Sequence, residues 1–205
     1  MDRDTRGILD VRSDVDLKDY SGPFEPDLRY TDFSKEYLAR MYMMTTEYFM
    51  AVWNAWMSFV AEKMGRDVMG EAHSWLWDNP EILCAPIYQM KKDWINIEGN
   101  DIEALMKHSQ MDPTSCAGKF FDKTFEMPSK DCGIVTYHRC YMVDLLEDSQ
   151  PDILRDICEN TCPPSYKRTA EMLNPDIEVT YLMIPPRKSK DDPCCKVKLT
   201  YKSKE

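Results

Sequence analysis

From Ser34 to Gly65 apolar residues recur at three- and four-residue steps, through Leu38, Tyr42, Phe49, Val52, Trp56 and Phe59. That spacing predicts a single long amphipathic helix. Asp32 or Ser34 supplies an N-cap and Gly65 a C-cap. A helix of this length commits the first half of the chain to helical packing. A second helix is expected over about Asp67–Trp77, stopping before Pro80. A third covers about Glu81–Ile97, with Pro86 near its first turns. A fourth opens at Asn100, with Glu103 as a capping-box partner, and ends by Asp112-Pro113.

After Ser115 the texture changes. Lys119–Glu126 and Cys132–Arg139 are rich in aromatic and β-branched residues and flank Pro128-Ser129-Lys130-Asp131, which reads as a hairpin. Helical segments follow over about Tyr141–Leu146 and Pro151–Leu173, the latter broken at Pro163-Pro164. Strands at Ile177–Ile184 and Cys194–Tyr201 flank a loop holding Pro185, Pro186 and Pro193. The expected fold class is α+β: about four N-terminal helices packed with a four-stranded antiparallel sheet and C-terminal helices. Residues 1–31 read as an extended arm and 32–205 as one domain.

Charge narrows the partners. With 26 Lys and Arg against 36 Asp and Glu, the net charge is -10 across 205 residues, which repels phosphate backbones and anionic lipid surfaces. Nucleic acid and membrane are therefore not expected as partners; self-association stays open. Met1–Leu17 lacks the apolar run of a secretory signal, and Tyr48–Val60 is interrupted by Asn54 and Ser58, so a cytoplasmic location is expected. No glycine-rich phosphate loop, G-x-S-x-G or dinucleotide fingerprint occurs, so no nucleotide cofactor is expected.

In a reducing compartment the cysteines at 84, 116, 132, 140, 158, 162, 194 and 195 stay free, bind metal or react. Cys158 and Cys162 are four apart on a helix and share a face, within the range of zinc-ligand pairs. Cys194 and Cys195 alternate across a strand, so one of the two is expected to ligate. Buried thiols acting as small hydrophobes are the plain alternative.

Cys140 follows a strand and precedes a helix, whose dipole lowers a thiol's pKa and makes it a candidate nucleophile. His138, two residues back, shares its face and is a candidate general base. The plain alternative is a solvated His138 and a core Cys140. Trp53, Trp56 and Phe59 form an aromatic stripe that reads as core or as the wall of a small-molecule pocket.

Several C-terminal stretches together resemble a known family: Cys140-Tyr141, Cys158-x-x-x-Cys162, Asn174-Pro175-Asp176-Ile177-Glu178-Val179, and Pro185-Pro186 ahead of Cys195-Lys196-Val197-Lys198-Leu199. They look like the L-2-amino-thiazoline-4-carboxylic acid hydrolase-like proteins and their uncharacterised relatives, largely from anaerobic bacteria and archaea. Pro23 to Met41 is similar to the start of the long helix in those relatives. The resemblance implies hydrolysis of a C–N bond in a small sulfur- and nitrogen-containing ring, with Cys140, Cys162 and Cys195 as the positions that matter. A more distant likeness is to vinyl-4-reductase-like domains that bind small molecules beside a structural zinc. It implies Cys162, Glu178 and Cys195 as zinc ligands, with Cys158 or Cys194 completing the set. Two expectations follow: a hydrolase, or a zinc-stabilised small-molecule-binding or sensor protein.

Overall fold

The computed structural model describes residues 15–24, 26, 28, 30–112 and 120–202, without the side chains at 73, 74, 76–78, 80 and 83. Most of the arm expected over 1–31, and Cys116, lie outside the described residues. The protein is α+β, with helices through the first half and an antiparallel four-stranded sheet in the second. It divides into two compact units, Met1–Trp53 and Asn54–Glu205. That boundary falls inside the first helix.

In the first unit, helix α1 (Lys35–Met64, continuing past the unit boundary) starts where Ser34 Oγ accepts the Tyr37 N–H at 3.2 Å. Ser34 thus acts as the cap that its position suggests. The arm is tied to this start by backbone hydrogen bonds. Leu17 bridges Phe33, the Leu17 N–H donating to Asp32 O at 2.7 Å and the Ser34 N–H to Leu17 O at 2.9 Å. Phe33 in turn stacks on Tyr37 with ring centroids 4.1 Å apart.

The second unit holds α2 (Arg66–Asp78), α3 (Pro80–Ile95) and α4 (Ile102–Gln110). Gly65 enters α2 at φ 100, a conformation that a side chain would disfavour. Helix α4 is capped one residue later than the pattern suggests: Asp101 Oδ1 accepts the Ala104 N–H at 2.8 Å. Then come β1 (Phe121–Ser129), β2 (Cys132–Cys140), α5 (Tyr141–Leu146) and α6 (Pro151–Asp156). A π-helical turn, Ile157–Thr161, joins α6 to α7 (Cys162–Leu173), and β3 (Ile177–Met183) and β4 (Cys195–Tyr201) complete the sheet.

The predicted break at Pro163-Pro164 is absent. The helix crosses the prolines by widening one turn, with the Cys162 N–H donating to Ile157 O, five residues back. A proline ring clashes with the carbonyl four residues before it, and a wider turn moves that carbonyl aside.

Strand order is β1-β2-β4-β3, all antiparallel. The register sets Val135 opposite Val197 and Val179 opposite Leu199, so these residues share one face. That face meets α4 and α7 in a core of Ile102, Leu105, Met106, Val135, Ala170 and Leu199 with its neighbours. Gly133 lets α4 approach the sheet closely: a Cβ there would stand 2.9 Å from Met106 Sδ and 3.0 Å from Ile102 Cγ2, so those side chains would have to shift. A second apolar cluster joins Val143 and Leu146 of α5, Leu154 of α6, Cys158 and Cys194. Tyr137 packs against both clusters.

Candidate thiol site

Four cysteines border the two apolar clusters, Cys195 the first and Cys140, Cys158 and Cys194 the second, and Cys162 is exposed near them. Cys140 ends β2 and caps α5, Cys158 and Cys162 sit in and just after the π-turn, and Cys194 and Cys195 open β4. Register positions the last pair, since Cys195 is opposite Tyr137 and faces the core. Cys194 precedes the strand, its N–H donating to Tyr137 O at 2.7 Å and its Sγ to His138 O at 3.4 Å. Strict alternation would turn one of these two thiols away. Because Cys194 lies outside the paired run, both stay beside the other three.

The five thiols influence one another electrostatically. Burial raises the Cys195 thiol above its ordinary value, and Cys140, Cys158, Cys162 and Cys194 each raise it further, because neighbouring thiolates would repel. Cys158 is pushed up to about 12 by burial, with Cys162, Cys140 and Cys194 adding to it. Cys162, exposed at the rim, is still pushed up to about 11, by desolvation of its sulfur and then by Cys140. Cys194 also rises on burial, opposed by the nearby Arg187 guanidinium. At neutral pH the five are thiols.

Cys140 was expected to be acidified by the helix that follows it. The Val143 and Met142 N–H groups do lower its pKa, but burial outweighs them and the net shift is upward. Desolvation wins because α5 is six residues long and the thiol packs into the second cluster. His138 is exposed on its strand, its Nε2 in a hydrogen bond with Thr124 Oγ1 at 2.9 Å. The expected nucleophile and base are thus a protonated thiol and an imidazole engaged with the neighbouring strand.

Glu178 is opposite Thr200, on the face of the sheet away from Cys195, because the residues at 177 and 179 face the core. A ligand set uniting Glu178 with Cys195 does not match this register. Among the described residues no three His, Cys, Asp or Glu side chains stand around a common ion position as placed. The aromatic stripe is divided: Trp53 is half-buried, whereas Trp56 and Phe59 are exposed and stack on each other at 5.8 Å. They form neither a closed core nor a closed pocket wall.

Two features escaped sequence reasoning. Tyr137, Tyr166 and Tyr181 gather beside Cys195, burial raising all three phenols, Tyr166 to about 12. The Tyr181 hydroxyl donates to Cys162 O at 3.4 Å. Alternation along β2 and β3 carries the signal for Tyr137 and Tyr181, which share the inward face of Val135 and Val179. The other is the β3–β4 loop, fixed by Arg187, which pairs in two bonds with Glu147 (Nε to Oε1 2.9 Å, Nη2 to Oε2) and donates to Lys190 O at 3.0 Å. This loop delivers Cys194 to the cluster. Separately, His108 is buried on α4 and stacked on Tyr88 at 4.3 Å, its pKa pulled down to about 4 by burial and then by Lys91 and Lys92.

Neither protein-family models, nor curated proteins, nor solved structures provide a match to this chain.

Proposed function

We propose that Cys140, Cys158, Cys162, Cys194 and Cys195 supply the ligands of a soft metal ion, zinc being the ion suited to sulfur donors, in a protein that binds a small molecule. The observation that carries this reading is the convergence of five thiols from three separate stretches of chain. Cysteines acting only as small hydrophobes need no such convergence. Proximity that makes each thiol hold its proton would, around a dication, stabilise thiolates instead. Binding requires loss of those protons and rotation of the side chains toward one another. The phenols of Tyr137, Tyr166 and Tyr181 supply the few polar groups that a small ligand needs in an apolar setting.

The exposed edge at Cys162 supports a second reading, hydrolysis of a C–N bond in a small cyclic molecule. A zinc open on one side takes water as a ligand and lowers its pKa. Attack by Cys140 itself, with His138 as base, has less support, because that thiol is buried and its pKa is raised.

The test is metal analysis of anaerobically purified protein. About one equivalent of zinc is expected, lost in Cys195→Ala and kept in Cys84→Ala, whose thiol is instead beside Thr169 Oγ1 at 3.8 Å. Less than about a tenth of an equivalent sinks the proposal, since structural zinc binds tightly. Opening of an amino-thiazoline carboxylate by the zinc-loaded protein, abolished in Cys195→Ala, would favour the hydrolytic reading over simple binding.

A further inference from the structure

Helix α4 turns Ile102, Leu105 and Met106 toward the sheet, and its residues are about 100° apart, so His108 falls on the flank of that face, about 60° round from Leu105. There it meets α3. Its ring lies on the Tyr88 ring with centroids 4.3 Å apart and planes 28° from parallel. The Lys91 ammonium donates to the His108 carbonyl at 2.7 Å, so the ring and the backbone of one residue both fasten α4 to α3. A buried histidine is ordinarily hydrogen-bonded. His108 is 1% exposed, and neither ring nitrogen finds a partner among the described residues.

This setting suits a neutral ring. A proton taken up here brings a second N–H that meets no acceptor, in surroundings that disfavour charge. On α3 the flanking charges are Lys91 and Lys92, both positive, while burial holds the protons on Tyr88 and Cys84. On α4 itself Lys107 is paired with Glu103 at 2.5 Å, and Asp112, one turn beyond His108, makes no hydrogen bond to the ring. On α7 Tyr166 also keeps its proton, and Lys167 and Arg168 are exposed. Burial and then the two lysines pull the His108 pKa down to about 4.

We infer that His108 is an acid-sensitive latch: α4 stays docked on α3 while the imidazole is neutral and is released when the ring takes up a proton. Release also uncovers the sheet, because α4 supplies Ile102, Leu105 and Met106 to its core. In the unfolded chain a histidine titrates near ~6.5. Above that pH the ring is neutral whether folded or not, and it costs nothing. Below it the unfolded chain binds the proton first, so the penalty on folding grows until the folded ring is protonated near pH 4.

Urea unfolding of the full chain from pH 7 to pH 4 tests this, set against His108→Phe, whose ring keeps the stack and cannot titrate. The ratio of wild-type to variant unfolding constants is expected to rise ~10-fold per pH unit below about 6.5, and ~100-fold in all by pH 4. Carboxylates and thiols common to both proteins cancel in that ratio. Amide exchange at Leu105 and Met106 should show the release directly, the wild-type excess over His108→Phe growing ~20-fold between pH 7 and pH 5. A ratio that stays constant across the range overturns the inference. Should His108→Phe fail to fold, a proton NMR titration of His73→Gln/His138→Gln protein reads the one remaining imidazole of the three in the chain. A ring still neutral at pH 5 in folded protein supports the latch, and one that titrates near pH 6.5 overturns it.

Discussion

Leu199 of β4 and Phe49 of α1 are both large apolar residues on regular, periodic elements, yet Leu199 has no exposed surface and Phe49 has 58%. The sheet buries its periodic face within its own unit, because α4 and α7 lie across it. The α1 stripe has the pattern of a buried face and the exposure of a surface. Periodicity therefore identifies a face that needs covering, but not what covers it.

The largest expected effect tests the sheet side of this contrast. Leu199→Ala should cost about 3 kcal/mol in urea unfolding, through lost burial and the cavity left in a close-packed core. Tyr48→Ala, at a side chain 72% exposed on α1, should change the same measurement by less than about 0.5 kcal/mol. Equal costs for the two would break the comparison.

An intermediate effect is expected where the sheet meets its loop. Arg187→Ala leaves Glu147 without its two charge-assisted bonds in a setting only 11% and 19% exposed, and should cost about 2 kcal/mol. The Arg187 bond holds the Glu147 carboxyl below its ordinary value. Its stabilisation is complete at neutral pH, begins to fade below the ordinary glutamate range near ~4.3, and is lost as the pH falls through the lowered folded value. An acid titration of stability should therefore be shallower in Arg187→Ala than in wild type. An identical acid limb in both would show that the pair does not hold the loop.

The smallest effect is local. Asp101→Ala removes the cap of α4 and should cost ~1 kcal/mol, read as a lower melting temperature with no change in unfolding cooperativity. A cost near that of Leu199→Ala would mean that α4 depends on its cap more than on Ile102, Leu105 and Met106.

Much of this architecture is legible in the sequence, because local signals and tertiary needs agree there. The helix from Lys35, a hairpin turn within Pro128-Ser129-Lys130-Asp131 and the strand at Ile177 follow from periodicity and turn chemistry, while the strand before the turn runs on to Ser129. The site is legible only in part. Spacing singled out the cysteines, but their common surroundings depend on register: Cys195 opposite Tyr137, and Cys194 one step outside the pairing. The Cys140 environment was misread because a helix terminus is visible in sequence, whereas the desolvation that outweighs it comes from α5, α6 and the π-turn together. Glu178 illustrates the reverse, since order along the chain suggested a ligand and strand alternation places it on the other face.

The π-turn has a consequence for how one rod can serve two cores. Leu154 and Cys158 face one cluster, Tyr166, Ala170 and Leu173 the other, in steps that are mostly four residues long. Each such step overshoots an α-helical turn by about 40°, so in an unbroken α-helix Ala170 would point about 120° away from Cys158. The extra residue taken up between Ile157 and Thr161 winds back about 100° of that drift, and both apolar sets return to the same side. The turn works as a phase corrector. Excising a single residue from it would leave composition and helicity almost untouched, yet rotate α7 off the sheet and carry Cys162 away from the other four sulfurs.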